Sequence, residues 1–220
     1  MRGSRLQSGG AAALPQTSTR ATLSPSRAIA EFLALLDAAV SLPTALDVVA
    51  AVKDALTKCL QAGLEAALPP AFFMPRQGAG YARRLLHNDA RGRFSVVCMC
   101  WGTGQGTPIH EHGGSWCVEG VVKGRVGFTR YAVVSTSDPR RFTLTAKEHA
   151  VCDAGYVETE TATDYHALFN AHDETSVTLH VYSAELTEAV IMVPTEGRGA
   201  ADCADFDALA ERRTLEYNND

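Results

Sequence analysis

The amino-acid sequence predicts a mainly β fold, a double-sheet jelly roll or small barrel with two N-terminal α-helices packed outside it. Two observations indicate this fold class. The spacing of apolar residues changes from a helical period of about 3.6 to a strand period of about 2 near residue 79. Beyond that point, turn signals such as NDARG, VKGR and TSDP divide the chain into short β-rich runs. Many short strands of this kind are typical of jelly rolls and small barrels.

Two helices are predicted at the start of the folded region. Ser24-Pro25 supplies an N-cap followed by proline at the first helical position, and apolar residues at helical spacing continue this helix through Val40. Pro43 opens a second predicted helix with one apolar stripe, which Pro69-Pro70 ends. We therefore assign residues 24–68 to the helical part of a single domain.

That domain is expected to span residues 24–220, with a β-barrel from about residue 79 to residue 195. The tail from Asp202 has a weak helical pattern, ADFDALAERRTLEY, and we expect it to form a helix outside the barrel. The predicted strands are GYARRLL, RFSVVCMCW, TPIHEH, SWCVEGVV, RVGFTRYAVV, RFTLTA, DYHALFN, SVTLHVYSAEL and AVIMVP.

Residues 1–23 form a separate N-terminal segment. They contain few large apolar side chains, which predicts disorder. They also contain several arginines and no acidic residue, and the first acidic residue of the chain is Glu31. This composition is typical of organelle transit peptides as well, so a targeting peptide is the alternative to a plain disordered tail. Apart from such targeting, we expect a cytoplasmic protein.

The composition favours a globular protein with small-molecule partners. Of the 220 residues, 46% are hydrophobic and 20% are charged, and no apolar run approaches the roughly 18 residues that a membrane helix needs. The formal net charge of -5 offers no basic surface to a nucleic acid. We therefore expect no membrane and no nucleic-acid partner, and we expect a monomer.

The 6 cysteines fit the reduced thiols of an intracellular protein better than a disulfide framework. Cys98 and Cys100 form a CxC pair, a spacing that metal and redox sites use. Because the pair lies in the apolar run FSVVCMCW, buried strand thiols are the preferred interpretation.

The segment TPIHEHGGSWCVEG carries the strongest chemical signal. Residues i and i+2 of a strand face the same side, so His110 and His112 can direct both imidazoles at one metal ion. Two unrelated histidines in a turn are the alternative. The spacing of Gly104, the two histidines, Cys117 and Gly124 is that of the first cupin motif, with cysteine where that motif usually has glutamate.

A second cupin motif ends in HxxxN, which His166 and Asn170 supply. Its upstream part departs from the pattern, because Thr161 and Thr163 lie where proline and glycine are expected. Three histidines without a carboxylate form a neutral ligand set, unlike the common iron site of two histidines and one carboxylate. A neutral site can accept an anionic ligand from the substrate, such as a thiolate, without accumulating negative charge.

From about Tyr81 to Ser183 the chain resembles the thiol dioxygenases of the cysteine dioxygenase family. The core motif of that family is matched by Trp101-Gly102, a glycine-rich turn, the HxH pair and Cys117. A later Ser-x-His-x-Tyr motif is matched with threonine in place of serine, at Thr178, His180 and Tyr182.

The resemblance implies a cupin jelly-roll barrel, Fe(2+) as the cofactor, and a site built around the metal. It implies that Cys117 and Tyr182 join in a thioether cross-link, and that His180 and Thr178 orient the phenol of Tyr182. Without the resemblance, a buried strand cysteine and a barrel aromatic are the preferred interpretations of the cross-linked pair. The metal ligands that it implies are His110, His112 and His166.

The resemblance also implies a substrate-binding pair, Tyr81 and Arg83, which share one face of a predicted strand while Arg84 points the other way. A planar guanidinium can hold a carboxylate through two parallel hydrogen bonds. Arginine at this position favours L-cysteine, because related enzymes for 3-mercaptopropionate usually have glutamine there. An exposed arginine on an edge strand is the alternative for Arg83.

The function that the resemblance implies is the oxidation of L-cysteine by O2 to cysteine sulfinic acid, the first step of cysteine catabolism. Two alternatives stay open: a dioxygenase for 3-mercaptopropionate or another small thiol, and a non-catalytic cupin that only binds a metal. Glu119 shares the strand parity of Cys117 and is a reserve metal ligand, whereas Glu111 points away from its histidine neighbours. The remaining histidines in turn-like surroundings are expected to be solvated, namely His87, His149 and His172.

Overall fold

The computed structural model describes residues 25–78, 80–138, 141–194 and 207–217. The predictions for the N-terminal segment 1–23, for the N-cap Ser24 and for Cys203 concern residues outside these ranges. None of the helices within the described ranges is long and apolar enough to cross a membrane.

The two predicted helices are present as α1 (Pro25–Ala39) and α2 (Ala45–Gln61). Thr44 caps α2, because its hydroxyl oxygen accepts a hydrogen bond from the backbone N–H of Asp47 at 3.1 Å. The second helix is shorter than predicted. It ends before Gly63, whose φ of +88° is left-handed, and 3-10 helices at Leu64–Ala67 and Pro70–Phe73 follow it.

The β-part consists of two sheets in a jelly-roll arrangement, as predicted. The strands are β1 (Ala82–Asn88), β2 (Ser95–Trp101), β3 (Ile109–His110), β4 (Cys117–Lys123), β5 (Arg125–Ser135), β6 (Arg141–Asp153), β7 (Val157–Glu160), β8 (Tyr165–Asn170), β9 (Ser176–Tyr182), β10 (Glu188–Pro194) and β11 (Asp207–Glu216). One sheet has 5 strands in the order β1-β2-β9-β4-β7, and the other closes on itself in the order β10-β11-β6-β5-β8-β3. The second sheet closes because β3 pairs with both β8 and β10.

The helices cover the outer face of the five-stranded sheet. Phe32 of α1 and Leu56 of α2 are fully buried there, in one cluster with strand residues such as Val118 and Leu179. Gly120 of β4 allows this close packing, because a Cβ atom on it would lie 3.0 Å from Leu56 Cδ2. With its outer face covered by apolar packing, the sheet keeps its inner face for the polar residues described below.

The prediction of a C-terminal helix is wrong. Residues 207–216 form β11, which pairs along β10 from Glu188↔Glu216 to Pro194↔Ala210 and along β6 from Asp207↔Thr145 to Glu211↔Arg141. Backbone hydrogen bonds on both edges outweigh a weak helical preference of the segment alone. The closed sheet therefore includes a strand beyond the predicted end of the barrel.

Two further strands differ from prediction. β7 (Val157–Glu160) was not among the predicted strands, although it pairs with β4. β3 has only the residues Ile109 and His110, so the strand predicted over TPIHEH is short and His112 follows its end. The turn after β3 therefore directs His112 toward the same point as His110, and the two histidines do not share a continuous strand.

Leu56 and Leu46 lie on the same helix, α2, and give a matched test of the helix packing. Leu56 is 0% exposed and Leu46 is 80% exposed. We predict that Leu56→Ala lowers the free energy of unfolding by about 2–5 kcal/mol, because it removes buried apolar contacts and leaves a cavity. Leu46→Ala should change it by no more than about 0.5 kcal/mol. Urea unfolding followed by circular dichroism measures both; similar losses for the two variants would contradict the packing described here.

Candidate metal centre

Three buried histidines converge between the two sheets. His110 ends β3, His112 follows it, and His166 lies on β8 directly opposite His110 in the strand register. The ring centroids are 5.2 Å apart for His110 and His112, 4.7 Å for His110 and His166, and 4.9 Å for His112 and His166. One nitrogen of each ring lies within 4.8 Å of the others, which is close enough for one ion to contact all three.

The nitrogens of these rings are suited to a metal. His110 Nδ1 lies 3.1 Å from the carbonyl oxygen of Pro108 and donates to it in the tautomer that leaves Nε2 with its lone pair. Among the described residues, His112 Nδ1 and His166 Nε2 are buried without a hydrogen-bond partner. Since buried polar atoms without a partner cost stability, a ligand for these nitrogens is expected.

The protonation of the site also suits metal binding. Burial, reinforced by the neighbouring His166, lowers the pKa of His110 to about 3. The same two causes hold the pKa of His112 well below its usual value. Metals bind neutral imidazole, and three imidazoles are a donor set that divalent transition metals accept. The residues present therefore fit a divalent metal.

Two buried carboxylates lie behind His166. Its Nδ1 atom is 3.4 Å from Glu160 Oε1 and 3.9 Å from Glu119 Oε1. Burial lowers the pKa of His166, but the negative charges of Glu119 and Glu160 outweigh burial and raise it. Glu160 is also paired with Arg130, whose Nη2 lies 2.8 Å from Glu160 Oε1.

Glu119 faces the interior, as its strand parity predicts, and its side chain is 8% exposed. Its Oε2 atom lies 3.1 Å from His180 Nδ1. Glu119 belongs to two groups of side chains that could each hold an ion. One group contains Cys117 and His180, and the other contains Glu160 and His166. Neither group contains all three of the predicted metal ligands. The structure thus places Glu119 beside the three-histidine group, and its use as a reserve ligand stays a prediction.

Cys117 and Tyr182 are direct cross-strand neighbours on β4 and β9, and both are buried. The centroid of the Tyr182 ring lies 5.8 Å from that of His112, so this pair borders the metal centre. Burial, and then the neighbouring Cys117, raise the pKa of the Tyr182 phenol, while Arg83 opposes the rise. Burial likewise raises the pKa of the Cys117 thiol.

A chain of hydrogen bonds supports the same wall of the site. Trp101 Nε1 donates to Thr178 Oγ1 at 2.9 Å, and Thr178 Oγ1 lies 2.7 Å from His180 Nε2. The His180 ring stacks on that of Tyr182 with centroids 6.0 Å apart and planes at 13°. The residues predicted to orient the phenol therefore lie next to it.

Arg83 points into the barrel although β1 is an edge strand. It is 4% exposed, which contradicts the alternative of a solvated surface arginine. Its Nη2 donates to the carbonyl oxygen of Leu186 at 2.9 Å, and its guanidinium carbon lies 4.9 Å from the centre of the Tyr217 ring. Tyr81 stacks on Trp101 at 4.4 Å, and burial raises the pKa of Tyr81 to about 12.

Sequence reasoning missed two residues of this region, Tyr217 and Glu160. Tyr217 follows β11, and the helical prediction for that segment gave no reason to place it beside Arg83. Glu160 lies on β7, a strand that was not predicted. The available signal for Glu160 was the alternation of VETE, which is too short to separate a strand from a turn.

The structure also describes the residues to which the sequence analysis gave no role in the site. Glu111 accepts hydrogen bonds from the backbone N–H groups of Val190 at 2.8 Å and Gly114 at 3.2 Å, so it stabilises the turn after β3. Cys98 and Cys100 are buried on the outer face of the sheet with the helices. His149 and His172 are exposed, as expected, whereas His87 is half-buried and packs near Phe94.

The jelly-roll fold and the convergent histidines define a β-barrel protein with a candidate metal centre. Comparison with known proteins identifies the family: residues 71–190 match the family model for cysteine dioxygenase type I. The chain belongs to the cysteine dioxygenase type I family.

Curated relatives agree with this assignment. Human cysteine dioxygenase type 1 is 29% identical over 107 residues, which cover 47% of this chain and 50% of the human protein. The zebrafish (Danio rerio) protein of the same name is 28% identical over 109 residues, covering 47% of this chain and 51% of the relative. The chain thus aligns with about half the length of these relatives.

Among solved structures, a cupin superfamily protein from Desulfitobacterium hafniense is 14% identical, with 54% of this chain and 90% of that chain covered and a TM-score of 0.39.

His112 offers the clearest mutational test of the centre, because its removal leaves no buried charge without a partner. We predict that His112→Ala weakens the binding of a divalent metal by more than about 100-fold, since a direct ligand is lost. His149→Ala, at an exposed histidine, should leave the affinity unchanged. Anaerobic calorimetric titration with Fe(II) or Co(II), with circular dichroism to verify folding, measures both; equal affinities would exclude His112 as a ligand.

Proposed function

We propose that this protein is an iron(II)-dependent thiol dioxygenase that oxidises L-cysteine with O2 to cysteine sulfinic acid. The overall reaction adds both oxygen atoms to sulfur, RSH + O2 → RSO2H. The observation that carries the proposal is the group of three buried imidazoles without a carboxylate among them, bordered by Tyr182 and Cys117. Membership of the cysteine dioxygenase type I family supports it.

The metal would be held by His110, His112 and His166. When bound there, iron(II) would lower the pKa of a coordinated thiol and make O2 reactive toward it. The two histidines with lowered pKa values stay neutral at physiological pH, so no proton has to leave them before binding. Because the three ligands carry no charge, an anionic thiolate can approach them without repulsion.

Arg83 is the proposed anchor for the substrate carboxylate. Arginine carries five N–H donors in a rigid fork, and in Arg83 one donor is directed at Leu186 by a 2.9 Å hydrogen bond. This contact and the ring of Tyr217 hold the guanidinium in one orientation on the inner face. Tyr81 directly precedes β1, stacks on Trp101 and is the proposed second contact for the substrate.

Tyr182 is the proposed catalytic hydroxyl, with Cys117 as its cross-linked neighbour. Burial raises the pKa of the phenol, so its proton is retained and can be donated to an oxygen atom beside it. A thioether bond between the two side chains would remove one hydrogen from each, with O2 as the oxidant, and would restrict the motion of the ring. His180 and Thr178 are the proposed supports of that ring.

The alternatives differ from this proposal in defined ways. A dioxygenase specific for 3-mercaptopropionate would use the same centre, and the buried Arg83 is the feature that favours L-cysteine over it. A non-catalytic cupin would bind the metal without consuming O2. The cytoplasmic location, the monomeric state and the division into segments 1–23 and 24–220 stay sequence-based predictions.

Oxygen consumption by the anaerobically iron-loaded protein tests the proposal directly. With L-cysteine and isotopically labelled O2, we expect one O2 consumed per thiol and both labelled atoms in the sulfinic acid found by mass spectrometry. Faster turnover of 3-mercaptopropionate would favour the first alternative. No uptake with L-cysteine, 3-mercaptopropionate or cysteamine would favour the non-catalytic cupin.

The role of Arg83 predicts a selective effect on substrates that carry a carboxylate. Arg83→Gln should raise KM for L-cysteine roughly 10- to 100-fold, because charge-assisted hydrogen bonds are lost. KM for cysteamine, which has no carboxylate, should change little. Steady-state oxygen uptake with both thiols measures the difference, and an equal rise for both would indicate that Arg83 only stabilises the fold.

The proposed thioether cross-link predicts a mass change. Denatured protein that has turned over should be lighter by two hydrogens than the sequence mass, and Cys117→Ser should abolish this deficit. Intact-mass spectrometry under reducing conditions measures it. Full activity of a protein with the unmodified mass would remove the cross-link from the mechanism.

A further inference from the structure

We propose that Glu119 is a positioning residue that fixes the tautomer of His180 and links this ring to the metal ligand His166. Glu119 is a buried carboxylate that lies outside the three-histidine group. Only its effect on turnover rests on the proposed function, since the tautomer is a property of the folded protein itself.

The hydrogen bonds in the wall of the site leave the tautomer of His180 to its Nδ1 partner. The indole of Trp101 can only donate, so Thr178 Oγ1 accepts its proton at 2.9 Å. Thr178 Oγ1 still has its own hydroxyl proton and a second lone pair, so it can donate to His180 Nε2, 2.7 Å away, or accept from it. The group that faces His180 Nδ1 therefore decides which nitrogen carries the proton.

Glu119 faces His180 Nδ1 with a carboxylate oxygen, which can only accept. Within the described residues, its Oε2 atom is buried without another hydrogen-bond partner and lies 3.1 Å from His180 Nδ1, so a proton on Nδ1 would satisfy it. The only other polar neighbour of His180 Nδ1 among the contacts of the described residues is Cys117 Sγ, at 4.0 Å. A carboxylate is the stronger acceptor of the two, so it fixes which nitrogen carries the proton.

The second oxygen of Glu119 faces the metal centre. Oε1 lies 3.9 Å from His166 Nδ1, so one carboxylate lies between the metal ligand and the ring that stacks on Tyr182. In the described part of the chain, the ion-pair partners of Glu119 are these two histidines, whereas the neighbouring Glu160 is paired with Arg130. A buried carboxylate whose partners are imidazoles needs both of their N–H groups to offset its desolvation.

Glu160 and Glu119 thus have different roles around His166. Glu160, held by Arg130, is closer to His166 Nδ1, at 3.4 Å, and orients that ring. Glu119 reaches both His166 and His180, so it holds the metal ligand and the support of Tyr182 at a fixed separation. Glu119 touches neither substrate nor metal in this arrangement, and it acts through the two histidines.

Long-range proton–nitrogen NMR of the histidine rings in the metal-free, full-length protein tests the inference. The signals of His180 are assigned by their loss in His180→Gln. We expect Nδ1 of wild-type His180 to carry a proton and Nε2 to act as the acceptor. A ring protonated on Nε2, or on both nitrogens, would overturn the proposal before any Glu119 variant is made.

Variants at Glu119 separate positioning from general stability. Glu119→Leu removes the acceptor and should move the His180 proton partly or wholly to Nε2, whereas Glu119→Gln keeps a carbonyl acceptor and should retain the Nδ1 tautomer. Glu158→Gln is the matched control, because Glu158 is buried and lies opposite Glu119 in the strand register. It should leave His180 unchanged. An unaltered tautomer in a folded Glu119→Leu protein would contradict the inference.

Metal binding and turnover provide a second readout. We expect Glu119→Leu to weaken metal affinity or slow cysteine oxidation roughly 10- to 100-fold, with partial rescue by Glu119→Gln. If the wild-type protein oxidises no thiol, the proposed function fails while the tautomer result still decides the role of Glu119. If it does oxidise cysteine and Glu119→Leu has wild-type metal affinity and rate, the link to His166 is wrong.

Discussion

The convergence of three imidazoles at one buried point is the constraint on which the rest of this structure depends. Burial makes charged imidazolium unfavourable, and each ring still has to satisfy its nitrogens. The pairing of β3 with β8 brings His110 opposite His166, and the turn after β3 adds His112. A cluster of this kind costs stability without a ligand, which supports the proposed metal site.

The two faces of the five-stranded sheet have different tasks. Its outer face is apolar and packs on α1 and α2, where Gly120 permits close contact with the second helix. Its inner face carries Arg83, Cys117, His180 and Tyr182 on neighbouring strands. Because the helices supply the hydrophobic burial on one side, polar groups can be placed on the other side at positions fixed by the backbone register.

The carboxylates near the centre lie outside the three-histidine group. The three imidazoles contribute no net charge when neutral, while Glu119 and Glu160 lie behind His166 and do not form part of the three-histidine group. Arg130 pairs with one of these carboxylates, Glu160. Arg83 lies buried on the inner face of the five-stranded sheet, where it is the proposed anchor for an anionic substrate.

The sequence predicts the parts of this molecule that depend on local pattern. Pro25 marks the start of α1, period-2 alternation marks most strands, and the HxH spacing identifies two of the converging histidines. The parts that depend on long-range pairing are not predictable in this way. β11 has a weakly helical sequence and becomes a strand because β10 and β6 offer it two edges, which is also why Tyr217 was not foreseen. The contacts of Glu119 depend on the register of β4, β8 and β9, which no single segment encodes.

X-ray absorption of the iron(II)-loaded protein, recorded anaerobically before and after addition of L-cysteine, tests the central claim most directly. We predict imidazole nitrogens as the only protein ligands before addition, and a sulfur atom at bonding distance afterwards. A carboxylate among the protein ligands, or no sulfur at the iron in the presence of excess cysteine, would contradict it.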